Sequence, residues 1–172
     1  MERQLVFTLV GPDRPGLVEA TARAVADAGG NWLDSRMTRL GGFFAGVVRV
    51  DGGTNADAVV AAVRALSEVG LQVEVARGAA AAVIEGGRES RISVVGNDRP
   101  GIVRQVAEVI ARSDVNVEDL TTCRESAPVS GAPLFRAEVV VRAQDAASLE
   151  QLRDDLEALA HDLMVDLSEL PN

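Results

Sequence analysis

The chain contains the stretch Gly11-Pro12-Asp13-Arg14-Pro15-Gly16-Leu17-Val18 and repeats it in its second half as Gly96-Asn97-Asp98-Arg99-Pro100-Gly101-Ile102-Val103. The same offset also aligns Asn31 with Asn116 and Asp34 with Asp119. Solenoid repeats have shorter periods, of roughly 20 to 50 residues. The repeat therefore predicts two copies of one small domain.

Each copy shows the same order of predicted elements, β-α-β-β-α-β. In the first copy, Gly11 ends the first strand, Gly29-Gly30 ends the first helix and Gly41-Gly42 forms a tight turn between two strands. In the first copy the six predicted elements span, in that order, 4–10, 15–28, 31–40, 43–50, 56–69 and 71–75. In the second copy they span 91–95, 101–113, 115–124, 134–142, 147–160 and 163–167. This split βαβ order predicts an α+β fold of two ferredoxin-like domains, each with an antiparallel four-stranded sheet and both helices on one face.

The domain boundaries follow from the repeat. We predict a first domain over residues 1–77, a linker over 78–89 and a second domain over 90–172. Aligning Phe44 with Phe135 raises the offset from 85 to 91, so the second copy carries an insertion of about six residues within 125–133. Such a loop is either a partner-specific feature or a tolerated surface insertion, since long loops cost little free energy.

The composition narrows the classes of function. Of the 172 residues, 47% are hydrophobic and 25% charged, as in globular domains. The net charge is −9: residues 1–85 hold 8 Arg and 10 acidic residues (−2), and residues 86–172 hold 9 Arg and 16 acidic residues (−7). This acidity argues against direct nucleic-acid binding, which needs basic groups to neutralise phosphates, and against acidic membrane surfaces.

The sequence also indicates a location inside the cell. The N-terminal residues lack the basic, apolar and small-residue regions of a signal peptide, and no apolar run reaches the roughly 20 residues that span a bilayer. Cys123 is the only cysteine, so no intrachain disulfide can form. We therefore expect a cytoplasmic protein.

The repeated loop carries groups that suit a zwitterionic amino acid. It precedes a helix, whose first N–H groups carry partial positive charge and can bind a carboxylate. Its aspartate can accept hydrogen bonds from an ammonium group, and its second glycine lets a backbone approach closely. The asparagine that starts the next strand offers one acceptor and two donors. The predicted ligand-binding residues are Asn97, Asp98, Gly101, Asn116, Asp13, Gly16 and Asn31.

Structural roles compete with these assignments. Asp13 and Asp98 have the chemistry of helix N-caps, and Asn31 and Asn116 are equally typical of turns that lead into a strand. The two loops also differ, because Pro12 stands where the second copy has Asn97. Proline removes an N–H donor, whereas asparagine adds side-chain hydrogen bonds. The second loop is therefore the better candidate for ligand contact, and two equivalent sites are not expected.

No catalytic or metal site is predicted. His161 is the only histidine, and no second histidine or cysteine can complete a metal site with it. Cys123 is interpreted as a small buried apolar residue rather than a nucleophile. Neither loop has the glycine spacing of a dinucleotide or Walker motif, so no cofactor is expected.

The motif and the element order resemble those of ACT domains. A chain of two such domains resembles the glycine cleavage system transcriptional repressor family and related tandem ACT regulators. The resemblance implies ACT domains that pair side by side into an eight-stranded sheet, within one chain or in a homodimer. It also implies a ligand at the domain interface, between the loop after the first strand of one domain and the second-strand start of its neighbour.

The predicted function is therefore a non-enzymatic regulator. It would sense a small ligand, such as the amino acid glycine, and control a protein partner that the resemblance implies to be a transcription activator. The alternative is a protein-interaction module without a ligand, or a detached regulatory subunit of an amino-acid or folate enzyme. Formyltetrahydrofolate deformylases, which carry a similar Gly-Pro-Asp opening, suggest the folate case, but this chain lacks a catalytic portion.

Overall fold

The computed structural model describes residues 4–77, 87–128, 130–159 and 163–169. The chain divides into two compact units, Met1–Ala82 (unit 1) and Val83–Asn172 (unit 2). Most of the predicted linker, 78–86, lies outside the described residues, as does His161. The final two positions assigned to the linker, Arg88 and Glu89, instead begin a strand of unit 2.

Unit 1 has the predicted β-α-β-β-α-β order. Its elements are β1 (Gln4–Pro12), α1 (Leu17–Asp27), β2 (Asn31–Leu40), β3 (Phe43–Asp51), α2 (Ala56–Arg64) with a 3₁₀ turn (Ala65–Val69), and β4 (Gln72–Arg77). The strands are antiparallel in the order β2-β3-β1-β4. Alternate residues of β1 are buried because one face of the sheet packs against both helices.

Unit 2 repeats this architecture. Its elements are β5 (Arg88–Asn97), α3 (Ile102–Arg112), β6 (Asn116–Ser126), β7 (Pro133–Ala143), α4 (Ala146–Leu159) and β8 (Met164–Glu169). The sheet order is β6-β7-β5-β8, again antiparallel. Residues of α3, α4 and the inner sheet face form one apolar core. The described strands thus pair into two four-stranded sheets, and the predicted eight-stranded sheet is not among their pairings.

The two edge strands β2 and β6 share an irregularity. The register of β2 against β3 shifts between Trp32 and Asp34, and that of β6 against β7 shifts between Val117 and Asp119. Each shift is a bulge, in which one extra residue stands in the edge strand. The two bulges occupy equivalent positions of the two copies, so the repeat extends to this local geometry.

The insertion in unit 2 lengthens a hairpin. β6 and β7 extend the ladder to the pair Ser126 and Pro133. Beyond it, the Ala127 N–H donates to the carbonyl of Ala132 (2.8 Å) and the Gly131 N–H donates to the carbonyl of Ala127 (2.9 Å). Of the predicted insertion 125–133, residues 125, 126 and 133 are therefore strand, residues 127, 131 and 132 take part in these hydrogen bonds, and Val129 lies outside the described residues.

Candidate functional site

The repeated loops enter their helices through a glycine. Gly16 and Gly101 are the residues before α1 and α3, with φ angles of 92° and 87°. A Cβ atom built on either glycine meets nothing within 4 Å. The left-handed backbone therefore accounts for glycine at both positions, and the close approach of a ligand to these glycines stays a prediction.

The capping role considered for Asp13 and Asp98 is wrong. The N-cap positions belong to Gly16 and Gly101, and neither helix has a side-chain cap hydrogen bond. Because the left-handed glycine delays the helix start, the aspartates lie three residues before the N-cap. Their carboxylates therefore contact other groups than the first N–H groups of the helices.

Each aspartate pairs with an arginine near the end of the edge strand. Asp13 Oδ2 lies 3.4 Å from Arg39 of β2, and Asp98 Oδ2 lies 2.9 Å from Nε of Arg124 of β6. The backbone N–H of each aspartate also donates to the neighbouring hairpin, to the carbonyls of Gly42 (2.9 Å) and Pro133 (3.0 Å). Loop, hairpin and edge strand are therefore held together in both units.

The two arginines are not among the predicted site residues, although the repeat contains a signal for them. Arg39 and Arg124 occupy equivalent positions of the two copies, as the two aspartates do. Their pairing places a guanidinium, which binds carboxylates, next to an aspartate, which accepts from an ammonium group. The loop thus offers both charges that a zwitterion needs.

Other contacts of the loops differ between the units. An Nη2 atom of Arg14 donates to the carbonyl of Val69 (2.5 Å), so the loop of unit 1 also contacts the end of the 3₁₀ turn. Asn97 and Pro12 both end a strand, where they pair with Leu134 and Phe43 respectively. Asn97 is exposed at this position.

The predicted asparagines lie far from the loops of their own units. Asn31 begins β2 and Arg39 stands eight residues further along that strand; Asn116 and Arg124 have the same spacing in β6. At about 3.3 Å per residue, roughly 25 Å separates each asparagine from the loop. Asn116 instead donates from Nδ2 to Glu118 Oε1 (2.9 Å). The seven predicted site residues therefore do not form one cluster within a unit.

Two further ion pairs join neighbouring strands of a sheet and do not involve the loops. A hydrogen bond from the guanidinium of Arg136 to Glu125 raises the pKa of Arg136, and hydrogen bonds to Asp34 do the same for the pKa of Arg49.

Among the described residues, no three His, Cys, Asp or Glu side chains are placed to hold a metal ion. Cys123 is exposed on β6, so its interpretation as a buried apolar residue is wrong.

The geometry defines a tandem pair of ferredoxin-like units, each with an Asp–Arg pair at the loop that leads into its first helix. Two family models, both described as ACT domain, match residues 3–76 and 90–161. The chain therefore belongs to the ACT-domain family and carries two ACT domains in tandem. None of the helices in the described ranges is long and apolar enough to cross a membrane.

Three similar proteins match over most of the chain. The glycine cleavage system transcriptional repressor of Escherichia coli (strain K12) is 25% identical over 155 residues, which cover 87% of this chain and 82% of the repressor. A crystal structure of an unknown protein from Galdieria sulphuraria is 29% identical and superimposes with a TM-score of 0.83, covering 98% of this chain and 99% of its own. A solved structure assigned provisionally to the repressor group shares the fold, with a TM-score of 0.71, 24% identity and 98% coverage of both chains.

Proposed function

We propose that this protein is a non-enzymatic regulator that binds an amino acid at an ACT domain interface and thereby controls a protein partner. The observation that carries the proposal is the repeated Asp–Arg pair, Asp13 with Arg39 and Asp98 with Arg124. A free amino acid presents a carboxylate and an ammonium group a few ångströms apart, and this pair presents the complementary charges.

The interface part of the proposal follows from the position of the asparagines. Each lies roughly 25 Å from the loop of its own unit, at the opposite end of an exposed edge strand. If two such edge strands pair antiparallel, the start of one strand lies beside the end of the other. Asn31 or Asn116 of one domain would then reach the loop of its neighbour. This pairing would produce the expected eight-stranded sheet, within one chain or in a homodimer.

The proposed regulatory role rests on the name of one relative and on the net charge of this chain. The Escherichia coli relative is named as a transcriptional repressor of the glycine cleavage system. Direct contact with DNA is disfavoured for this chain because its net charge is −9. We therefore propose control through another protein, such as a transcription activator, in the cytoplasm. Ligand binding controls such a partner only when the two binding states differ in their affinity for the ligand.

A thermal-shift screen of the purified full chain against the twenty amino acids and simple folates tests the proposal. Ligand at a hundred times its dissociation constant raises the stability by about 2.7 kcal/mol. We expect one amino acid to raise the melting temperature, and Asp98→Asn or Arg124→Gln to abolish that shift. Asp57→Asn, on the exposed face of α2, is the matched control and should leave the shift unchanged. A shift with none of the compounds would contradict ligand sensing.

A second candidate, a protein-interaction module without ligand, is favoured by one feature of unit 1. Leu40 and Phe43 flank the Gly41-Gly42 turn and are 79% and 53% exposed. Exposed apolar side chains that cluster at a hairpin tip are typical of protein contacts. Light scattering on the variant Leu40→Ser/Phe43→Ser tests whether the tip mediates self-association. An unchanged mass would exclude that role.

A further inference from the structure

Unit 2 contains an apolar groove that the proposed function has not used. It has a volume of about 180 Å³ and lies between α3 and the strands β6 and β7. Val103, Ala107 and Val117 line it together with Leu120 and Phe135, and Thr122 is the one polar residue of the lining. Val117 and Leu120 remain 42% and 47% exposed, because no described side chain of the unit covers them.

The equivalent positions of unit 1 carry larger apolar side chains, which pack against the core of that unit. In the repeat, Trp32 corresponds to Val117 and Met37 corresponds to Thr122. Trp32 and Met37 pack against the core of unit 1. Met37 lies so close to β3 that its Cγ would be 2.8 Å from a Cβ on Gly46. The sister domain thus shows that this location accepts large apolar side chains.

A pair of opposite charges stands at one end of the groove. Arg124 follows Thr122 by two residues on β6, so both side chains project from the same face of the strand. Phe135, which lines the groove, is paired with Arg124 on one side and with Gly96 on the other. The Asp98–Arg124 ion pair therefore lies where the apolar groove meets the predicted ligand loop.

We propose that unit 2, and not unit 1, binds an aliphatic amino acid, with its side chain in the groove and its charged groups at the Asp98–Arg124 pair. Apolar cavities of about 150 Å³ bind single small apolar molecules such as benzene, so this groove has room for one branched aliphatic group but not for a helix. The ligand carboxylate would bind Arg124, and its ammonium group would bind Asp98. The inference rests on the proposed function and names the ligand class.

Isothermal titration of the full chain with leucine, isoleucine, valine and glycine tests the groove. We expect at least one branched amino acid to bind at least tenfold more tightly than glycine, because glycine leaves the apolar groove empty. The variant Val117→Trp/Thr122→Met installs the residues of unit 1 and should weaken that binding at least tenfold. The converse variant, Met37→Thr in unit 1, is the matched control and should leave the affinity unchanged.

The outcomes separate this inference from the proposed function. Glycine binding as tightly as the branched amino acids, or branched ligands binding equally well to the filled variant, would overturn the groove site and leave amino-acid sensing intact. Absence of binding by all four would overturn the groove site, and absence of a thermal shift with all twenty amino acids would overturn the proposed function as well. Circular dichroism checks that the double variant is folded; if it is not, Thr122→Met alone must produce the loss of affinity.

Discussion

Replacing Gly16 by alanine tests whether the loop before α1 depends on its left-handed backbone. The φ angle of Gly16 is 92°, and a Cβ at this position would meet no atom within 4 Å. The cost should therefore come from backbone strain alone, which is about 1 to 2 kcal/mol for an L-residue in this region. For a domain of 60 to 100 residues, this corresponds to a melting temperature lower by about 4 to 16 °C.

The single tryptophan makes the measurement specific to unit 1. Trp32 is the only tryptophan, the chain has no tyrosine, and Trp32 packs against the core of unit 1. Urea unfolding followed by Trp32 fluorescence therefore reports the free energy of unfolding of this unit. Gly16→Asn is the matched control, because asparagine visits the left-handed region more readily and should cost less than alanine.

Two results would refute the reasoning about Gly16. If Gly16→Ala changes the free energy of unfolding by less than about 0.5 kcal/mol, the backbone is not held in the left-handed conformation. If alanine and asparagine both cost more than about 3 kcal/mol, contacts rather than strain decide the effect, since strain alone supplies only about 1 to 2 kcal/mol.

Three further predictions concern other positions. Gly11→Ala should destabilise unit 1 more than Gly16→Ala in the same assay, because its Cβ would overlap the carbonyl oxygen of Gly70; an equal effect would contradict this. Leu152→Ala, at a fully buried position of α4, should cost about 2 to 5 kcal/mol in urea unfolding followed by circular dichroism, and a loss below about 1 kcal/mol would contradict the core packing. Hydrogen bonds from the backbone N–H and hydroxyl of Ser148 lower the pKa of Asp145, so the stability they add is present at neutral pH and is lost as the pH falls through the carboxyl pKa. The difference in urea midpoint between wild type and Asp145→Ala should therefore shrink between about pH 7 and pH 3, and a constant difference would show that the carboxylate charge is not responsible.

The element order could be predicted because it depends on local signals. In unit 1, Gly29-Gly30 follow α1 and the Gly41-Gly42 turn joins β2 to β3. Unit 2 has Asp114-Val115 at the first of these places and the insertion at the second, so its element order was predictable from the repeated motif instead. Several bounds nevertheless shifted by two or three residues, even beside glycine and proline: β1 continues through Gly11 to Pro12, and α1 begins at Leu17 rather than at Pro15. The end of α2 also changed to a 3₁₀ turn over 65–69, a difference in hydrogen-bond pattern that side-chain periodicity does not reveal.

The candidate site was only partly predictable, because it depends on contacts between distant segments. The loop aspartates were identified, but their arginine partners lie beyond the first helix of each unit, at the far end of the edge strand. The exposure of Cys123 had a related cause: it lies on an edge strand where almost every residue is exposed, which its own sequence pattern does not indicate. Whether Asn31 and Asn116 contribute to a site with a neighbouring domain stays a prediction.

The bulge in β2 also governs which side chains the edge strand shows to its surroundings. Met37 and Arg39 project from one face, and strict alternation back along the strand would place Asn31 on that face and Trp32 on the other. The extra residue at Leu33 reverses this order, so Trp32 packs into the core while Asn31 stays exposed. One inserted residue thus lets a single strand serve two purposes, anchoring its own domain and leaving a polar group available outside it. The number of residues between the bulge and Met37 therefore decides which side chains face the core. If Ser35 were deleted and the bulge kept, Trp32 would face outward and Asn31 would face the core. The domain would then lose both the packing of Trp32 and the exposed amide of Asn31.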